Sequence, residues 1–262
     1  MVRRLWLLIL MAGLTACTGL PFPGAAATPP QEVVTQPAPA QSTPEEAEGL
    51  LVGEGPWTVT FETSDGVTLD GTLFGKGTSG VVLSHMYPTD QTSWHPFAEA
   101  VAAEGYMALA YDFRGYGASA SVPKDVSKMH LDLAAATQFM REHGAERLVL
   151  IGASMGGTVS IKVAATEEVA GLVVISSPRS FQGSEVSDDE LAALTMPSLW
   201  LGARQDAVVA DTEAMYQQAA GPDKSVWVYE GSGVHGTFIF DGVDGPDLTR
   251  RLLEFIERVA SA

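Results

Sequence analysis

From Trp57 onward, short β-rich runs alternate with stretches of helical period, and this alternation restricts the chain more than any other feature. Eight runs read as strands: residues 57–62, 67–73, 80–84, 107–111, 147–151, 172–176, 198–201 and 225–229. Helical stretches over 93–104, 129–143, 155–166, 210–220 and 246–259 fall between or after them. A chain that returns repeatedly from helix to strand builds a mostly parallel sheet with helices on both faces. The first two runs, joined by Ser64-Asp65-Gly66, read instead as an antiparallel hairpin. Ligands of such sheets sit at the carboxyl ends of strands. The segments directly after strands three, five, seven and eight are therefore where chemistry is expected.

After strand five stands Gly152-Ala153-Ser154-Met155-Gly156-Gly157, a G-x-S-x-G pattern between a β-run and a helix. So sharp a strand-to-helix turn lifts a serine hydroxyl above the sheet, and it needs small neighbours. Serine is a poor nucleophile at neutral pH, so an imidazole must accept its proton and a carboxylate must orient the imidazole. His95, His130 and His143 lie in or at the ends of helical stretches and read as packing or surface residues. His235 lies in Gly231-Ser232-Gly233-Val234-His235-Gly236, a flexible loop beyond the last strand, from which a base reaches over the serine. Asp206 follows strand seven and is the favoured acid. Asp211 is the runner-up, at a helix start where a carboxylate more often meets free backbone N–H groups. The order Ser154, Asp206, His235 is the one expected for a nucleophile elbow on a parallel sheet.

With these residues in place, the chain resembles the α/β-hydrolases over nearly all of residues 57–260, close to the dienelactone hydrolase-like and small serine-esterase branches. Dienelactone hydrolases use a cysteine nucleophile where this chain has Ser154. Asp112-Phe113-Arg114-Gly115-Tyr116-Gly117-Ala118-Ser119 is similar to the D-x-R-G-x-G-x-S turn after strand four, with Arg114 read as a loop brace. In His85-Met86-Tyr87-Pro88 methionine replaces the glycine that commonly follows the histidine. The resemblance implies that the backbone N–H groups of Tyr87 and Met155 form an oxyanion hole, with His85 a loop anchor and Trp94 a packing residue. It also implies an α/β-hydrolase fold with a minimal cap, because the superfamily's usual lid position, between strands six and seven, has room here only for one short helix over 188–194.

The implied reaction is hydrolysis of carboxylic esters through an acyl-enzyme on Ser154, with no metal or organic cofactor. Thioesterase, acyltransferase and peptidase activities use the same triad. A catalytically silent tethered binding protein is the reading from a different class, and its signature, a missing triad member, is absent. An open cleft favours short or sterically accessible esters, whether small molecules or exposed on a polymer.

The N-terminal region carries a different kind of information. Arg3 and Arg4 precede an apolar run over 5–13, too short for a hydrocarbon core of about 30 Å but suited to an export signal. Leu14-Thr15-Ala16-Cys17 resembles the bacterial lipobox, which implies cleavage before Cys17 and a diacylglycerol on its sulfur. The alternative is an ordinary secretory signal cut after Ala25-Ala26-Ala27. Residues 18–50 hold seven of the 15 prolines and read as an extended linker. The expected organisation is a signal peptide over 1–16, a lipidated cysteine and linker over 17–50, and a hydrolase domain over 51–262, held at the bacterial cell envelope on its periplasmic or extracellular face. Cys17 is the sole cysteine, which excludes an internal disulfide. With 15 Lys plus Arg against 32 Asp plus Glu, the net charge of −17 leaves no basic patch for nucleic acid.

Overall fold

The computed structural model describes residues 55–260, so the signal, lipobox and linker expectations lie outside the described residues. Eight strands form one sheet: β1 (Trp57–Glu62), β2 (Thr68–Phe74), β3 (Ser79–Ser84), β4 (Met107–Tyr111), β5 (Arg147–Ala153), β6 (Gly171–Ile175), β7 (Ser198–Ala203) and β8 (Lys224–Tyr229). Their spatial order is β1-β2-β4-β3-β5-β6-β7-β8. β1 pairs antiparallel with β2, and β2 antiparallel with β4; every later pairing is parallel.

The burial of each strand follows from its place. β1 is an edge strand, exposed at every second residue, whereas β5 and β6, in the sheet interior, are apolar runs buried on both faces. Alternate side chains feed two cores. Val82, Leu148, Leu150, Val174 and Trp200 point to one face, where they meet α2 (Met129–Glu142) and α3 (Met155–Ala164). Val81, Leu83, Val149, Ile151, Val173 and Leu201 point to the other, against α1 (His95–Ala103) and α6 (Gly245–Ala260). On α6, Leu248, Leu252, Phe255, Ile256 and Val259 make the stripe that seats it. Each fully buried side chain of this kind contributes about 1.5–3 kcal/mol.

Two short helices complete the layout, α4 (Asp188–Ala193) and α5 (Val209–Gln218). The helix expected from Ser93 begins instead at His95, after a 3-10 turn over Gln91–Trp94. Asp90 caps that turn by accepting from the Thr92 N–H at 2.9 Å, and Pro96 then occupies the first turn of α1, where a missing N–H costs nothing. Between β6 and β7 the chain adds a two-residue hairpin, Ser180–Phe181 with Ser184–Glu185, which the sequence reading did not assign. Among the described residues no helix is long and apolar enough to cross a membrane.

Candidate active site

Ser154 stands between the last residue of β5 and the first of α3, with φ 51° and ψ −119°. That backbone conformation costs a non-glycine residue about 1–3 kcal/mol and persists because its surroundings determine it. The Ser154 N–H donates to Ile175 O at 2.8 Å, and Ser154 O accepts from the N–H groups of Gly157 and Thr158 at 2.9 and 3.1 Å. The neighbours must be small. A Cβ on Gly152 would collide with the Gly156 carbonyl, one on Gly156 with the carbonyls of Ser84 and His85, and one on Gly157 with Ser177 Oγ. These close approaches press the loop after β3 against the elbow.

His235 and Asp206 are joined directly, Nδ1 donating to Oδ2 at 2.8 Å. Asp206 sits beyond β7 and His235 beyond β8. Their loops are sewn together by Arg204 N to Tyr229 O at 3.0 Å and Gln205 N to Ser232 O at 2.9 Å. Burial, the largest influence on the Asp206 carboxyl, pushes its pKa up. The hydrogen bond and charge of His235, the Ser176 hydroxyl and the Val208 N–H outweigh burial and hold it below the ordinary carboxylate value. Asp211 lies in the first turn of α5 and accepts from the Arg179 N–H at 3.1 Å.

The structure also brings the histidine loop to the serine. A Cβ on Gly236, the residue after His235, would stand 3.6 Å from the Ala153 Cβ, the residue before Ser154. Ser154 and His235 make no side-chain hydrogen bond to each other, while the His235 Nδ1 bond to Asp206 leaves Nε2 as the acceptor nitrogen. Resting catalytic hydrogen bonds are often long and tighten only with substrate bound.

The loop after β3 supplies the remaining groups. The His85 Nε2 accepts from the Phe113 N–H at 3.1 Å, which puts the ring proton on Nδ1, where it donates to Met86 O at 2.9 Å. Burial lowers the His85 pKa, so this ring is a neutral anchor joining the β3 and β4 loops. The Tyr87 N–H has no acceptor among the described residues. The Met155 N–H, at the start of α3, has none within its own helix. Met86 is fully buried, and its sulfur fills the space against Gly236, so close that a Cβ there would overlap it. The side chain in the usual glycine position thus forms the floor of the histidine loop.

Arg114 is a brace. Its Nη1 and Nη2 bond Asp65 at 2.9 Å each, and its Nε donates to buried Asp132 at 2.8 Å. The Arg114 hydrogen bonds hold Asp65 well below the usual carboxylate range; burial pushes Asp132 up, and Arg114 offsets that only in part. Asp112 takes the Gln91 N–H and side-chain amide, at 2.8 Å each, and the Ala118 N–H at 2.9 Å. Trp94 is buried against Phe97 and Phe240. Among the described residues no group of three or more His, Cys, Asp or Glu could hold a metal ion.

The loops after β3 and β8 expose apolar side chains. Tyr87 and Phe238 are each 47% exposed, and Val234 is exposed beside His235. The Tyr87 ring meets that of Phe181, from the hairpin after β6, at 5.9 Å between centroids. β3 and β6 flank β5, so this contact links the loops on either side of Ser154, which is itself only 6% exposed. The short segment after β6 therefore reaches across to the loop after β3. Sequence reasoning missed Phe181, the Met86–Gly236 contact and Ser176, because none of the three belongs to a pattern of residue types.

Residues 78–187 match the family model described as "Serine aminopeptidase, S33". That span holds Ser154 but neither Asp206 nor His235. Among curated proteins, epoxide hydrolase A of Mycobacterium tuberculosis is 33% identical over 39% of this chain and 33% of its own length. A bifunctional epoxide hydrolase 2 of Sus scrofa is 29% identical over 48% of this chain and 23% of its own length. The chain thus spans about a third or less of these relatives. Among solved structures, an esterase of Pyrococcus furiosus superposes with a TM-score of 0.71 at 22% identity, covering 85% of this chain and 96% of that one. An esterase of Thermogutta terrifontis gives 0.64 at 21% identity, covering 78% and 99%. The chain has the α/β-hydrolase fold.

Proposed function

We propose that the domain is a serine hydrolase of carboxylic esters in which Ser154, His235 and Asp206 form the triad. The observation that carries this reading is the 2.8 Å bond from His235 to Asp206 in a loop packed beside Ala153, with Ser154 held on the strained turn that follows. In the proposed reaction Ser154 Oγ attacks the ester carbonyl while His235 Nε2 takes its proton. Asp206 holds the tautomer and stabilises the imidazolium. The N–H groups of Tyr87 and Met155 bind the developing oxyanion. His235 then returns the proton to the leaving alcohol, and a water repeats the sequence in reverse to release the acid.

The epoxide hydrolases among the relatives name a competing reaction, and the chemistry of the nucleophile disfavours it here. A serine that opened an epoxide would be left as an ether, which a general base cannot hydrolyse; an acylated serine is an ester, which it can. The short hairpin between β6 and β7, with no lid domain there, supports a short or sterically accessible ester, either small or exposed on a polymer. Thioesters, amides and acyl transfer to other acceptors remain reactions of the same machinery.

The lipobox reading of Cys17 is also a proposal: the mature protein would carry acyl chains on Cys17 and work at the cell envelope through the linker. The test of activity is a panel of p-nitrophenyl esters, thioesters and anilides, with ester turnover expected to dominate and to vanish in Ser154→Ala. Turnover confined to anilides would replace the esterase reading with a peptidase. Labelled palmitate incorporated in the wild type but not in Cys17→Ser tests the anchor.

A further inference from the structure

Ser176 is the polar group beside the His235–Asp206 pair that the mechanism above does not use. It follows directly on β6, which lies between the strands that carry Ser154 and Asp206. Its backbone is fixed by donation from its N–H to Leu201 O at 2.8 Å, and its φ is 48°. Glycine adopts that conformation freely and serine does not. The residue is fully buried, and its Oγ has no hydrogen-bond partner among the described residues. Buried hydroxyls almost always have one, so an orphan calls for an explanation.

The neighbouring carboxylate supplies the explanation. Asp206 receives one strong bond, from His235 at 2.8 Å, and a weak one from the Val208 N–H at 3.3 Å, while a carboxylate has about four acceptor sites. The Ser176 hydroxyl is near enough to help hold the Asp206 carboxyl in its ionised form, with His235 as the charged partner. A side chain kept in a strained conformation, with its hydroxyl buried beside the acid, has a role that glycine in the same place would lack.

We infer that Ser176 is a positioning residue: its hydroxyl, unpartnered at rest, donates to the Asp206 carboxylate as His235 takes the proton of Ser154. The proton of Ser176 stays on its own oxygen throughout. The bond keeps the carboxylate aimed at His235 Nδ1 at the moment when the imidazolium forms. This inference rests on the triad reading above.

The test uses Ser176→Gly, which removes the hydroxyl while relieving the backbone, with Ser176→Ala beside it. A purely structural serine predicts a glycine variant at least as active and as stable as the wild type. The positioning role predicts an unchanged or raised denaturation midpoint, kcat lower by about 10- to 100-fold, as for a hydrogen bond to a charged group, and little change in KM. In an Asp206→Ala background the same glycine substitution should have no further effect on kcat. Wild-type kcat in Ser176→Gly, or an equal loss in the Asp206→Ala background, overturns the inference. Full activity in Ser154→Ala would instead overturn the triad reading itself, so the two failures are distinguishable.

Discussion

Gly236→Ala is the perturbation that most sharply tests how the histidine loop is held. Gly236 has φ +57°, and a Cβ there would overlap the Met86 sulfur. A left-handed conformation costs alanine about 1–2 kcal/mol. Overpacking a buried side chain costs about 1–3 kcal/mol more, so the variant should lose about 2–5 kcal/mol of stability. The displaced residue follows His235 directly, and a misplacement of about 1 Å at a catalytic group can cost about 10²-fold in rate. Shortening the other partner makes room: Met86→Ala alone should cost about 2–5 kcal/mol as a large-to-small core change. The double variant should lose less than the sum of the singles, by the overpacking part of about 1–3 kcal/mol, and should recover most of the lost kcat/KM. Urea denaturation and turnover of p-nitrophenyl acetate measure both. Strict additivity, or a Gly236→Ala protein as stable and active as the wild type, would refute the argument that Met86 floors this loop.

Asp206→Asn should lower kcat by roughly 10⁴-fold by leaving His235 in the wrong tautomer, whereas Asp211→Asn should stay within a few-fold of wild type; the reverse pattern would move the acid to Asp211. Arg114→Ala leaves buried Asp132 without its partner and should cost about 3–5 kcal/mol by denaturant titration, a loss that a mere surface charge would not produce. Across p-nitrophenyl esters from C2 to C16, kcat/KM below the substrate's aggregation concentration should level off after the first few carbons. A maximum at C12 or longer, with a jump at the aggregate interface, would show a covered lipase-type site.

The strands were legible in the sequence because each interior run is mostly apolar and sits between turn residues. β4 and β5 begin where the runs begin, at Met107 and Arg147. The elbow was legible for a steric reason: only small residues fit at 152, 156 and 157, and that requirement leaves a pattern of residue types. The pairing of His235 with Asp206 rather than Asp211 followed from topology, since both loops leave the carboxyl ends of adjacent parallel strands. Other features left no such trace. Met86 supports Gly236 across 150 positions of sequence, and packing between distant residues has no local signature. The start of α1 was misplaced by two residues because Asp90 caps a 3-10 turn first, and both kinds of turn share the same cap residues. Phe181 reaches Tyr87 through a hairpin of two residues a side, too short for an alternating pattern to be visible.

Labelling with a fluorophosphonate tests the central claim most directly, because only an activated serine reacts with it. The account predicts one label per wild-type molecule, located at Ser154 by peptide mass spectrometry, with loss of ester hydrolysis in proportion to labelling and no label on Ser154→Ala. A label on another serine, or undiminished ester hydrolysis by Ser154→Ala, would contradict it.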